Sequence, residues 1–306
     1  MNASDVVHGQ VAAADSEVDT MSSGSEGWSR AMYRMRQSWL SVAGLVMVVL
    51  LLLLAVAGPW LAPYPEHLLG GINTGMRFKP PSAANWMGTN ELGQDVLSLV
   101  LGGARTSLLA GLAVVTAAAV TGTVIGALAG YLGGWTDEIL MRFADLKLTL
   151  PGLILAMAVA AALGAGFGIM VFAIALSWWP GFARLVRGEV LSKREEVYVL
   201  AARALGAGPI RILWRHILPN ILSPVIVKMS LDVGFAVLTV ASLGFVGIGI
   251  KPPTPEWGMM LSTARGYMPD FWWIAIFPGL AIFVSVLSFN LLGDGLRDVL
   301  DPKSRR

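Results

Sequence analysis

Cysteine is absent from the 306 residues. That excludes disulfide frameworks and thiolate metal sites. Charge is scarce too: Asp, Glu, Lys and Arg make up 14% of the chain, against about a quarter in soluble domains. The net charge of +2 is too small to point to nucleic acid. Histidine occurs three times, at His8, His67 and His216, and never in metal-ligand spacing. Glycine is never followed directly by lysine, so the G-x-x-x-x-G-K-[ST] phosphate loop is missing. The chain is expected to hold no metal and no cofactor of its own. No Ser–His, His–Glu or paired-acid constellation suggests an enzyme.

What is present is apolar. Hydrophobic residues reach 55%, gathered in long blocks and not spread in stripes. A membrane-crossing helix needs about 20 mainly apolar residues, and by that rule the chain holds about six spans. They are predicted at 40–62, 107–132, 139–163, 167–186, 221–250 and 271–292. The expected architecture is an all-α membrane protein. Residues 1–37 are rich in Ser, Asp, Glu, Gly and Ala and read as a disordered tail. Residues 38–104 hold the first span and an outer loop, 105–293 form the core with a polar loop at 193–220, and 294–306 form a second tail.

Orientation follows from lysine and arginine near the span ends. Arg30, Arg34 and Arg36 precede the first span; Arg184, Arg187, Lys193, Arg194, Arg203, Arg211 and Arg215 lie between the fourth and fifth; Arg297, Lys303, Arg305 and Arg306 follow the last. The opposite loops carry only Arg77 and Lys79, then Lys251 and Arg265. Both termini and the 195–220 segment are therefore expected in the cytoplasm.

That segment is regular. Val197, Leu200, Ala201, Ala204 and Leu205 repeat at helical spacing and predict one apolar face. Gly206 offers a left-handed stop, and Pro209 suits a helix start. Ile210, Leu213, Trp214 and Ile217 predict a second apolar face, which Pro219 is expected to end. The product is a helical hairpin at the cytoplasmic surface. Periodicity alone leaves two readings: an amphipathic element resting on lipid headgroups, or a docking surface for another protein.

The stretch Leu200-Ala-Ala-Arg-Ala-Leu-Gly206, continuing to His216-Ile-Leu-Pro219, resembles the "EAA" loop of bacterial ABC-importer permeases. In that pattern E-A-A, three residues, Gly and nine residues lead to I-x-L-P. Ala201, Ala202, Gly206, Leu218 and Pro219 match in register; Leu200 stands in place of Glu and His216 in place of Ile. Elsewhere, Gly88-Thr-Asn-Glu-Leu-Gly-Gln-Asp95 is similar to the G-T-D-x-x-G-R-D segment of peptide, opine and nickel permeases, with Asn90 and Gln94 replacing Asp and Arg. Gly130-Tyr-Leu-Gly-Gly-Trp135, Lys251-Pro-Pro-Thr-Pro-Glu-Trp-Gly258 and Leu292-Gly-Asp-Gly-Leu-Arg-Asp298 fit the same branch. The resemblance implies a C-type permease of a dipeptide or oligopeptide importer in the bacterial inner membrane. It implies four kinds of partner: a second permease, two ATPase subunits that hold ATP and Mg²⁺, an extracytoplasmic binding protein, and the bilayer. It also implies that Leu200, Ala201, Ala202, Leu205, Gly206, Leu218 and Pro219 couple the chain to an ATPase. Nickel, glutathione, opines and oligosaccharides remain alternative solutes, and a stand-alone ion-coupled transporter is the rival from another class.

Ionisable residues inside spans are functional candidates. Lys228 and Asp232 lie four apart and can pair. They either line the solute path or form a neutralising pair near the cytoplasmic end, with Lys228 snorkelling. Arg142, Asp145 and Lys147 crowd the start of the third span, where Arg142 and Asp145 can pair across a turn; the cluster either anchors the helix at the interface or makes a second contact with an ATPase. Pro151, Pro180 and Pro278 suggest kinks. Gly111, Gly122, Gly126 and Gly130 predict close helix packing, within the chain or against the partner permease. The outer segments 63–103 and 251–270 either contact a binding protein or cap the bundle, with Glu256 and Arg265 as candidate contact residues.

Overall fold

The computed structural model describes residues 39–300, the side chain of Leu300 excepted. The tail expected at 1–37 and the residues after 300 lie outside the described part. Apart from a single bridge between Thr89 and Asp95, no β-pairing forms among the described residues. The long helices are α1 (Trp39–Leu61), α2 (Val96–Leu132), α5 (Phe167–Lys193), α8 (Leu218–Phe245) and α10 (Trp273–Leu300). Short ones are α3 (Gly134–Leu148), α4 (Gly152–Leu163), α6 (Val197–Ala204), α7 (Pro209–Ile212) and α9 (Trp257–Ala264). Among the described residues five helices are long and apolar enough to cross a membrane, and α3 with α4 makes a sixth crossing if the bent pair counts as one.

That pair corrects the prediction of one span at 139–163. The axes of α3 and α4 meet at 89°. Pro151 sits at the corner in extended geometry, because a helix cannot continue into its ring. Thr149 closes the end of α3 by donating its hydroxyl to the Leu146 carbonyl at 2.7 Å. The charges also divide the pair. Asp137, Glu138, Arg142, Asp145 and Lys147 all fall on α3 and none on α4. Twelve residues of α4 extend only about 18 Å, short of a bilayer core of about 30 Å. Pro180 and Pro278, by contrast, lie inside continuous helices.

Helix α2 begins earlier than predicted. The span expected from 107 begins at Val96 and runs as one helix of 37 residues. Asp95 caps it, accepting from the Ser98 amide at 2.8 Å. Gly102 and Gly103 do not interrupt it: a side chain there would strike Leu68 and Trp257, so their smallness admits the outer loops. The fifth span starts and ends sooner than expected, at Leu218 and Phe245. Helices α5 and α10 run further, to Lys193 and Leu300.

The glycines of α2 pack within the chain. A Cβ on Gly126 would sit 2.3 Å from the Ala183 carbonyl oxygen, and one on Gly122 would lie 2.5 Å from the Trp179 carbonyl oxygen. Gly130 approaches Val190 in the same way. The α2 backbone thus lies directly on α5, and Gly111 brings it to Val237 of α8. Leu108, Val114, Val115, Phe182, Val237 and Trp257 form the centre of the core. Helix α1 joins by Gly44 against Leu291 and Leu292 of α10 and by Gly58 against Leu101 of α2. Its Val46, Val49, Leu50, Leu53 and Val56 stay exposed, as lipid-facing residues do.

Candidate coupling hairpin and intramembrane charge pair

The hairpin forms as the sequence suggests at its tip and differs at both flanks. Helix α6 ends at Gly206, whose φ is +83°. Its amide donates to the Arg203 carbonyl at 3.0 Å, and the Ala207 amide donates to Ala202 at 3.0 Å. This pair of bonds is the Schellman arrangement and satisfies two carbonyls that would otherwise be orphaned. Pro209 then opens α7. Pro219 does not end the second helix, contrary to expectation. A π turn at Leu213–Ile217, closed by the Leu218 amide on the Leu213 carbonyl, carries the chain straight into α8. One helical rod therefore runs from Pro209 to Phe245. The π turn has already shifted the backbone pairing by one residue, so the missing amide of Pro219 leaves no gap in the ladder.

The apolar stripe of α6 is also on the other side from the anchor. Val199, outside the predicted stripe, is the residue of α6 that is buried, joined by Ile212, Leu213 and Ile217 from the second arm. Val197, Leu200 and Leu205 face outward, as do Ile210 and Trp214; Leu205 is 88% exposed and Val197 79%. Ala201 and Gly206 are exposed beside them, while Ala202 and Leu218 are half-buried and Pro219 is exposed. The hairpin is thus pinned by four buried side chains and presents a separate apolar surface. Tyr198 and Asn220 link its two arms at 3.3 Å, and Asn220 also donates to the His216 carbonyl at 2.6 Å.

Charged residues fix the hairpin's root. Arg187 holds Asp137 of α3, with Nη2 to Oδ2 at 2.6 Å. Arg194 donates to the Gly130 carbonyl at 3.0 Å, closing the end of α2. The Arg142–Asp145 pair does not form. Asp145 pairs instead with Arg184 of α5, and Arg142 with Glu138 one turn back at 3.6 Å. Both Asp145 and Asp137 reach across to α5, because the bend lays α3 over that helix.

Lys228 and Asp232 stand apart from the hairpin, halfway along α8. Their side chains pair at 2.9 Å. The Lys228 ammonium also lies 5.0 Å from the centre of the Phe182 ring. The pair borders an open cavity of about 370 Å³ between α5, α8 and the end of α3.

At the opposite end, Glu256 corrects another expectation. It is fully buried and cannot be a surface contact. Its carboxylate accepts from the Gly258 and Met259 amides at 2.8 Å each, capping α9, and from Ser107 of α2 at 3.4 Å. Burial pushes its pKa up, against the pull of those three donors. Arg265 is exposed and lies over Phe245 at 5.5 Å. Nearby, Asn85 donates to Asp95 at 2.9 Å and the Asp95 amide donates to Nδ1 of His67 at 3.0 Å. These polar locks span up to 149 residues, and no local pattern announces them.

Residues 122–306 match the family described as binding-protein-dependent transport system inner membrane component. The chain belongs to that family. Residues 27–81 match the N-terminal transmembrane domain of oligopeptide transport permease C. The probable D,D-dipeptide transport system permease of Escherichia coli K12 is 45% identical over 90% of this chain and 92% of its own length. A glutathione transport system permease of Pectobacterium atrosepticum is 44% identical over 90% and 91%. The dipeptide transport system permease of Alkalihalophilus pseudofirmus is 41% identical over 91% and 90%. Among solved structures, a chain of the inward-facing MetNI methionine ABC transporter superposes with a TM-score of 0.52 at 17% identity, covering 66% of this chain and 96% of that one. The shared fold is that of an ABC-transporter permease. The protein is a multi-pass inner-membrane permease, and the hairpin and the charge pair both fall inside the matched family region.

Proposed function

We propose that this permease forms half of the translocation pathway for short peptides, and that the α6–α7 hairpin takes the thrust of a separate ATPase. The observation that carries the reading is the hairpin's outward apolar surface, with Leu205, Val197, Ile210 and Trp214 exposed while Val199, Ile212 and Ile217 anchor it. Lipid contact alone would not need a hairpin rigidly continuous with a spanning helix. The unbroken rod from Pro209 to Phe245 is a lever: a push on the tip moves α8. ATP and Mg²⁺ belong to the ATPase subunits, a second permease completes the path, and a binding protein delivers solute at the opposite end. The lysine and arginine distribution supports a cytoplasmic hairpin and cytoplasmic termini. Peptides are favoured as the solute class because the dipeptide and glutathione permeases match about nine-tenths of its length.

Leu205→Asp tests the docking. It adds a charge where no neighbour in this chain needs to move. The expected result is normal membrane level with loss of ATPase co-purification and of uptake in proteoliposomes. Stoichiometric ATPase and full uptake would refute the reading.

A further inference from the structure

An ion pair at the middle of a spanning helix needs an explanation. Helix α8 runs from Leu218 to Phe245, and Lys228 and Asp232 straddle its midpoint. Lys228 lies about 15 Å along the axis from Leu218, and Asp232 about 21 Å, at 1.5 Å per residue. Both charges therefore sit well inside a helix long enough to cross a core about 30 Å thick. Yet neither group is sealed: their side chains remain 32% and 18% exposed. Acyl chains do not tolerate charged side chains in contact with them. The face that carries the pair must therefore meet water, solute or another polar surface.

The surroundings select among these. Asp232 uses one carboxylate oxygen on Lys228. The ammonium has three donors; one is committed to Asp232, and the Phe182 ring takes a second direction. Both residues line the cavity, together with Ser177, Trp178 and Thr239. A volume of about 370 Å³ falls within the range of about 300–1,000 Å³ common to small-molecule sites. Asp232 and the Phe182 ring both contact the ammonium, so the cation has two partners within this chain.

We propose that Lys228 and Asp232 are a charge-matching station on the wall of the solute path. The solute's carboxylate takes Lys228 and its ammonium takes Asp232, so each charge exchanges one partner for another and none is left bare in the membrane. This fits a zwitterionic solute with charges of both signs, which is the chemistry of a short peptide with free ends. The inference rests on the peptide-import reading and goes further by naming the residues that read the solute within the permease.

The test uses the assembled importer in proteoliposomes, with radiolabelled dialanine and glutathione as probes. Lys228→Met with Asp232→Asn removes both charges together and leaves no orphan. Uptake should fall about ten-fold or more, while ATP hydrolysis stimulated by the loaded binding protein stays within about two-fold, because the charges act on solute and not on coupling. Lys228→Asp with Asp232→Lys keeps the pair but exchanges the positions of its charges, and should not restore uptake. Wild-type uptake by the neutral double variant would overturn the proposal. So would full rescue by the exchanged pair, which would make the pair a structural clasp or a seat for the second permease. Should the double variant fail to assemble, Lys228→Arg keeps the charge and moves it: an unchanged KM would overturn the proposal, and a raised KM with unchanged ATP hydrolysis would support it. Failure of the wild-type importer to take up either probe would instead refute the peptide reading itself, and the station with it.

Discussion

Replacing Glu256 should unfasten the outer end of the bundle without touching any exposed surface. Its carboxylate is the only cap on α9 among the described contacts, receiving the Gly258 and Met259 amides at 2.8 Å each. Glu256→Ala leaves both amides without that acceptor in a dry site. Loss of a helix cap costs about 0.5–2 kcal/mol, and each buried donor left unmet costs about 1–3 kcal/mol. The expected loss is about 3–5 kcal/mol, since these terms overlap. Glu256→Gln keeps one oxygen but turns an NH₂ group toward the second amide, for about 1–3 kcal/mol. Glu256→Lys should be the most severe, because it buries a cation against the α9 N-terminus. The assay is thermal unfolding of purified permease in nanodiscs, beside its steady-state level in membranes. The order wild type, Gln, Ala, Lys is the expected ranking of melting temperature. Acid gives a second handle. Burial raises the Glu256 pKa above its ordinary 4.5, so the folded state holds the proton more tightly than the unfolded one. Its contribution is fully present below that ordinary value and is lost as pH rises through the raised one. The melting-temperature gap between wild type and Glu256→Gln should therefore narrow as pH rises above 4.5. An Ala variant as stable as wild type, or a Lys variant that folds normally and loses only association with a binding protein, would refute the lock.

Two further substitutions probe the frame and the hairpin. Gly126→Val should force α2 off α5, since a Cβ there lands 2.3 Å from the Ala183 carbonyl oxygen; backbone cannot yield as a side chain can, so the cost should reach or exceed the usual ~1–3 kcal/mol of overpacking, read as loss of protease-resistant protein. Gly206→Trp has open space around it but must hold φ at +83°, a strain of about 1–2 kcal/mol; the expected outcome is normal insertion with loss of uptake, and wild-type uptake would count against coupling through the tip.

The positions of the membrane helices were legible because lipid imposes a length. A long apolar run satisfies that demand whatever surrounds it, so the runs beginning near 40, 107, 167, 221 and 271 each lie in a helix. Their ends were less legible. Helix α2 begins at a capping Asp95 amid polar loop residues, where hydropathy has already fallen. The corner at Pro151 was hidden because averaging over 139–163 merges a charged arm with an apolar one. In the hairpin, periodicity reported that a face of α6 wants an apolar partner, but not whether that partner is inside the chain. The anchor proved to be Val199, and the stripe was left for something else. The Glu256–Ser107 and Arg187–Asp137 contacts join residues 149 and 50 apart, beyond the reach of any local signal.

The departures from the family patterns separate on the same ground. Asn90 and Gln94 replace an acid and an arginine, and the structure brings them together: Asn90 Nδ2 donates to Gln94 Oε1 at 2.9 Å. Asn90 Oδ1 accepts from the Leu92 and Gln94 amides at 3.0 and 2.8 Å, and Gln94 donates to the Gly71 carbonyl at 3.0 Å. Both side chains are buried. Losing one member of a buried ion pair is costly, whereas losing both for a neutral, fully bonded pair is not. The two changes are therefore one exchange, compensated inside this polypeptide, and the outer loop keeps its shape. Leu200 is the contrasting case. It replaces an acid on the exposed face of α6, and the side chain of α6 that anchors the helix is Val199, pointing the other way. Under the docking proposal, whatever complements Leu200 belongs to the ATPase groove, which should offer an apolar contact there in place of a partner for a carboxylate.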